Sequence, residues 1–319
     1  MRTALTLIAA SALVATGAAA QGGPAEPNCG LSLVNSCQAK VDLFDYLAPQ
    51  VGTLVTGGNP TLGQGGALNG FGHASVALRV KAVQGSLPDF RNFAPSSSGT
   101  PNRFPTTSAF VPLPAAEASI GLYGGWPLGV TRVGGIDLIG DVSYLPEFHN
   151  NSTGLELPDG GLVTGYGARL GLLQEGLLTP GVGFTWQRHE LPRMAFHGVA
   201  AGTTLRIDDI DMASTSWRAT ASKSLIAFSV AAGVGQDRYR SSAVINKTSG
   251  PSTTFPFGVS QHVSRTSWFG NVATNILLAK LIAEIGAVSG GDIRTYNSFA
   301  GKAPDALRLY GSLGVRIGL

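Results

Sequence analysis

Five side chains in the middle of the chain are of types suited to hydrolysis: His189, His197, Asp208, Asp209 and Asp211. An aspartate that orients a histidine lets the imidazole draw a proton from water, so such a pair could activate a hydrolytic water. The spacing is generic, and an acidic loop accounts for the aspartates equally well. No G-x-S-x-G, H-E-x-x-H or phosphate-loop stretch accompanies them. The two cysteines, Cys29 and Cys37, lie close together with no histidine nearby. A metal site needs more ligands, so the expectation is one short disulfide, and neither metal nor cofactor.

A second set of charges recurs on alternate positions of apolar segments: Arg79, Lys81, Glu117, Asp137, Asp141, Arg169, Arg218, Glu284 and Arg316. Facing lipid, an Arg or Lys at the bilayer midplane would cost about 2–4 kcal/mol. These residues are therefore expected to line the inside of a closed structure. Basic and acidic members nearly balance. They read either as paired ions filling a narrow core or as the charged wall of a solute path.

The elements that must carry them are strands. Residues 305–319 alternate strictly, with Leu307, Leu309, Leu313, Val315, Ile317 and Leu319 on one face and Arg308, Tyr310, Ser312 and Arg316 on the other. This is a period of two, sustained to the last residue. A barrel in lipid requires such a strand, because its last strand pairs with its first and leaves no open edge. Ser312, Gly314, Ile317 and Leu319 resemble the C-terminal assembly signal of outer-membrane barrels, although that signal most often ends in an aromatic residue and this chain ends in leucine.

Composition agrees. Charged residues are 13% of the 319 residues, against roughly 25% in soluble domains, and 44 residues are glycine. Net charge is +3 without a block of like charge, which leaves no electrostatic footprint for nucleic acid. Residues 1–20 read as a secretory signal peptide: Arg2, an apolar run, then Ala18-Ala19-Ala20. Export, an all-β pattern and a closing strand point to the outer membrane of a double-membraned bacterium.

Ten period-two segments follow residue 71, at about 72–84, 116–125, 131–145, 161–173, 180–189, 203–222, 225–237, 257–275, 280–289 and 305–319. Their connections alternate long and short, as in bacterial barrels. The fold class is an all-β, antiparallel, up-and-down transmembrane barrel of about ten strands, with eight or twelve as alternatives, over 71–319. Residues 21–70 form a separate segment, either a periplasmic cap or a plug in the lumen, with a short helix at 39–47 that stops near Pro49. Inward glycines such as Gly165, Gly183 and Gly235 leave volume for a plug, water or a ligand. Trp126, Trp186, Trp217 and Trp268 suit interfacial girdles. Phe90, Phe93, Phe104 and Phe110 fall in a long outer loop and are candidates for capturing an apolar solute, or for packing over the barrel mouth.

In layout the mature chain resembles small outer-membrane barrels of the hydrophobic-solute transporter type, in which an N-terminal segment occludes the lumen. That resemblance is architectural and carries no residue roles. It implies passive passage or binding of a small, apolar solute. A barrel with a sealed lumen whose loops bind a partner is the alternative, and an outer-membrane hydrolase the third reading. The expected partners are outer-membrane lipid, the barrel assembly machinery and that solute.

Overall fold

In the computed structural model, residues 23–30, 36–93, 100–149, 152–200, 202–249 and 253–319 are described. The expected signal peptide, 1–20, lies outside the described residues.

Ten long strands form the wall: β1 (Ala74–Pro88), β2 (Thr106–Tyr123), β3 (Gly135–Tyr144), β4 (Leu162–Leu173), β5 (Gly181–Glu190), β6 (Thr203–Ser224), β7 (Phe228–Ser249), β8 (Thr253–Ile276), β9 (Ala279–Ser289) and β10 (Arg308–Gly318). Each pairs antiparallel with its neighbour in sequence, and β1 pairs with β10, so the sheet is closed. The seam is held to its end, where Leu319 N–H donates to the Ala74 carbonyl at 2.8 Å and the Leu319 carbonyl accepts from Ala74 N–H at 3.0 Å. Val76, Leu78, Leu138, Leu170, Val234, Ile285 and Val315 are exposed on the outer face, while Arg79, Asp137, Arg169 and Ser312 alternate with them inside and are buried. Lipid covers the first face, and the barrel interior holds the second.

The strand ends differ most from the sequence expectation at the loop-bearing end. β7 runs to Ser249 rather than 237, and β2 begins at Thr106 rather than 116. These extensions stand above the lipid belt, where the outer face meets water while Leu113, Tyr239, Ala243 and Ile245 stay buried on the inner face. Arg238, Arg240 and Asn246 replace the lipid-facing apolar residues there, so the alternation of the belt is lost although ladder pairing and the buried inner residues continue the strand. β3, β4 and β5 stop lower. Above them, the short strands Phe148–His149, Thr153–Glu156 and Met194–Ala200 pair in turn onto the upper half of β6. At the opposite end, the segment expected as a turn around Trp126 is a small hairpin, Trp126–Leu128 with Thr131–Val133.

One helix, α1 (Ser36–Thr56), lies inside the barrel. It does not stop near Pro49. Proline removes the N–H that would bond the carbonyl four residues back, and here the Gln261 amide of β8 donates to that Asp45 carbonyl at 3.1 Å. The wall thus supplies the missing donor, and the helix continues for seven residues beyond Pro49. Cys29 and Cys37 are joined by a disulfide with Cα atoms 5.6 Å apart, tying a 3-10 turn (Pro27–Cys29) to the start of α1.

The path of this segment is fixed by its partners. Gly23 N–H bonds Thr295 O in the β9–β10 loop, Lys40 bonds Asn246 O high on β7, and Lys81 meets Val55 O midway. Leu68 N–H then meets Asp137 near the short turns, and Gly70 leads into β1. The segment enters at the loop-bearing end and descends the whole lumen.

Candidate functional site

The inward charges are organised around the descending segment. The last carbonyls of a helix lack intrahelical donors and carry the negative end of its dipole. Lys81 Nζ donates to Val55 O at 2.8 Å and Arg218 Nη2 to Thr56 O at 2.9 Å. Below α1 the chain is irregular, so its backbone groups must find partners in the wall. Arg79 donates to Asn59 O at 3.0 Å, and Arg316 to the Thr61 and Leu62 carbonyls at 2.9 and 2.7 Å. Glu284 accepts Asn59 N–H at 3.0 Å, and Asp137 accepts Leu68 N–H at 3.0 Å. Cations of the wall take carbonyls, and carboxylates take amides.

The same groups neutralise one another across strands. Arg169 bonds Asp137 at 2.6 Å, Arg218 bonds Asp237 at 2.8 Å, and Arg79 pairs with Glu117. All six are buried. Asp141 pairs with His189 at 3.2 Å and accepts from Gln187. Every lumen candidate named from the sequence therefore points inward, Arg316 and its carbonyl partners lying nearest the turn end. Sequence reasoning missed Asp237, at the margin of its assigned segment, and Arg265, in the middle of its own. The parity of Gly233 and Gly235 already put Asp237 on the inner face.

Inward glycines provide the clearance. A side chain at Gly183 would strike the Gly65 carbonyl, and one at Gly121 the Gly70 carbonyl. On α1 the reverse holds, with a Cβ at Gly52 falling 2.7 Å from the Tyr239 ring.

The aromatic candidates separate. Phe93 and Phe104 stack at 3.9 Å, Phe104 meets Phe299 at 5.2 Å, and Phe299 stacks on Tyr46 of α1 at 3.8 Å. Phe90 joins this group through Phe104 and Phe196. Phe90, Phe93 and Phe104 are buried and form a lid that links the β1–β2 and β9–β10 loops over the mouth. They do not form an open capture surface. Phe110 is not with them; it is 73% exposed on the outer face of β2. Asp42, in the part of α1 above the lipid belt, fastens the lid by accepting from Tyr296 N–H at 3.0 Å and Asn297 N–H at 2.8 Å. Burial outweighs those bonds and pushes its carboxyl up to about 6.

Beneath the lid a cavity of about 100 Å³ separates α1 from the wall. Leu47, Val51 and Leu54 form one stripe of the helix facing it, and Val83, Phe196 and Ile207 close the other side. Its one polar lining side chain, Gln50, is engaged with the Tyr46 and Ser86 carbonyls.

Among the described residues, no candidate histidine pairs with a candidate aspartate, although Arg206 links Asp208 to the Glu156 that faces His197. His189 faces Asp141 in the wall, His197 faces Glu156, and Asp208 accepts from Arg206 and Asn246. Asp209 sits with φ +46° at an irregularity where β6 breaks register with β7.

The outer face decides where the barrel resides. It is a continuous apolar belt, with Tyr144, Tyr166, Trp186 and Trp268 exposed at one margin and Tyr123 and Trp126 at the other. This is a lipid belt with two aromatic girdles. The chain is an outer-membrane β-barrel. No protein-family model matches it, and no curated protein does. Among solved structures, the translocator domain of the autotransporter NalP from Neisseria meningitidis aligns at 11% identity and a TM-score of 0.40, covering 90% of this chain and 99% of that one. The outer-membrane protease OmpT from Escherichia coli aligns at 10% identity and 0.39, over 77% and 96%. The toluene transporter TodX from Pseudomonas putida aligns at 12% and 0.28, over 77% and 88%. These are likenesses of fold between barrels whose roles differ.

Proposed function

We propose that this barrel binds a small apolar solute between α1 and the wall, and that its lumen at rest is closed to ions by the N-terminal segment. The observation that carries the reading is the cavity beneath the lid. Interiors pack without voids of this size, and apolar cavities of roughly 150 Å³ in other proteins stay dry and take benzene. A hydrocarbon of one small ring suits the space and leaves no polar group of the wall unpaired. The wall charges hold the segment in place and are not the walls of a polar path.

The test has two arms. Benzene added to the refolded barrel should raise its unfolding temperature, and Val51→Trp, which fills the cavity, should abolish that rise. In planar bilayers the full chain should not conduct, whereas a chain lacking 36–70 should. Absence of ligand stabilisation in the folded barrel would return the protein to the sealed, partner-binding reading. Conductance by the full chain would refute the closed lumen.

A further inference from the structure

The turn end of the lumen holds a second cavity, of about 310 Å³, that neither the plug contacts nor the apolar site accounts for. Two cations line it. Lys280 of β9 and Arg316 of β10 are direct cross-strand partners on the inner face. Like charges in that relation destabilise a sheet unless something lies between them. Arg316 spends one guanidinium nitrogen on the Thr61 and Leu62 carbonyls. Among the described residues, no hydrogen bond or ion pair reaches the Lys280 ammonium. Glu175, the one carboxylate of the lining, sets a single negative charge against these two cations and also accepts from Ser222 Oγ at 3.0 Å and from Ser224 N–H. The site is therefore short of one negative charge, and its volume falls in the range of small-ligand pockets, roughly 300–1,000 Å³.

The rim of the same cavity is apolar. Leu277 and Leu278 form the β8–β9 turn, line the cavity and are 99% and 90% exposed. Leu277 holds φ at +55°, a left-handed backbone that disfavours leucine. Neighbouring turns repeat the pattern with Leu177, Leu178, Leu225 and Ile226 exposed. Strand length explains why such residues are tolerable. β3 has ten residues. At about 3.3 Å per residue and a tilt of roughly 40°, it spans about 25 Å, the height of the apolar band alone. The turns consequently sit in the inner leaflet's interface, continuous with the lipid belt.

We propose that this mouth holds the phosphate of an anionic phospholipid, with Lys280 and Arg316 on the phosphate and Leu277 and Leu278 among the acyl chains of the same leaflet. One anionic lipid balances the local excess charge and covers the exposed turn. A free phosphate offers the same group without the chains.

Native mass spectrometry of residues 21–319, refolded in a neutral maltoside detergent, tests this with three probes: phosphatidylglycerol, phosphatidylcholine and inorganic phosphate. One phosphatidylglycerol should be retained per barrel in preference to phosphatidylcholine. Lys280→Gln should weaken that retention roughly tenfold, as loss of a charge-assisted bond does, while heat-modifiable gel migration confirms a folded barrel. The double variant Leu277→Ser, Leu278→Ser should weaken lipid retention and leave phosphate unaffected. Equal retention of both lipids with no effect of Lys280→Gln would overturn the site. So would inorganic phosphate that displaces the lipid completely while the leucine variant changes nothing, because the occupant would then be a soluble anion.

Discussion

Gln261 donates to the Asp45 carbonyl, the acceptor that Pro49 leaves without its helical N–H. A wall side chain thereby completes the hydrogen-bond ladder of a helix to which it is not covalently adjacent. Replacing Gln261 with Leu should leave that carbonyl unsatisfied at a cost of about 1–3 kcal/mol. Urea unfolding of the barrel in detergent micelles would measure the loss. Hydrogen exchange should quicken at amides flanking Pro49 and be unchanged near Thr56. Uniform exchange would show that the bond does not support the helix locally.

Arg218 and Asp237 are buried together, and Arg218 also binds the end of α1. Removing one member strands its partner, which costs roughly 3–5 kcal/mol, whereas replacing both with apolar residues of similar volume costs far less. Asp237→Leu should thus lower the temperature of the gel-migration shift more than the double variant Arg218→Met, Asp237→Leu.

Gly52 lies against the Tyr239 ring, where an added Cβ would fall 2.7 Å from it. Gly52→Val should unseat α1 and let current pass in planar bilayers while the barrel remains folded. Gly52→Val combined with Tyr239→Ala restores the space and should restore the closed state.

Asp42 and Asp45 give the upper half of α1 a pH response. Burial raises both carboxyls, Asp42 to about 6 and Asp45, with the Asp42 and Glu26 carboxylates beside it, to about 7. A carboxyl whose folded value exceeds its unfolded one binds protons more readily when folded. Stability should therefore rise as pH falls from 8 through 6, and the gain should be complete near the ordinary aspartate value of 3.8. Glu156 runs the other way. The Arg206 hydrogen bond holds its carboxyl below the usual range, so its contribution is present above the unfolded value and is lost as pH falls through the folded one. Asp42→Asn with Asp45→Asn should flatten the rise between pH 8 and 6 in thermal melts and leave the acid limb intact.

Much of the wall could be read from alternation. Asp137, Asp141 and Arg169 sit among apolar residues at a spacing of two, and lipid leaves such charges one direction to face. The closing strand was readable for the same reason. What alternation could not give was anything held by partners distant in sequence. The helix beyond Pro49 depends on Gln261, more than two hundred residues away. The upper ends of β7 and β8 pair with each other above the belt, where the outer face no longer needs to be apolar. Phe90, Phe93 and Phe104 were visible as aromatic residues in a loop, but their stacking on Tyr46 and Phe299 required the loops to meet. Phe110 belonged to a strand extension that periodicity did not reach.

The N-terminal segment begins beside the β9–β10 loop, traverses the lumen and becomes β1 at the far rim. β1 is also one side of the seam with β10. The chain is thus threaded through a ring of which it is itself a part. A ring that shut while empty would have to admit a helix of 21 residues end-on, led by a disulfide-bonded loop, past walls that Gly183 and Gly121 already bring against the backbone. Assembly escapes that obstacle if the sheet curls around the helix and zips β1 to β10 as its last act. Time order in biogenesis is then written into topology, with the cargo in place before the door exists.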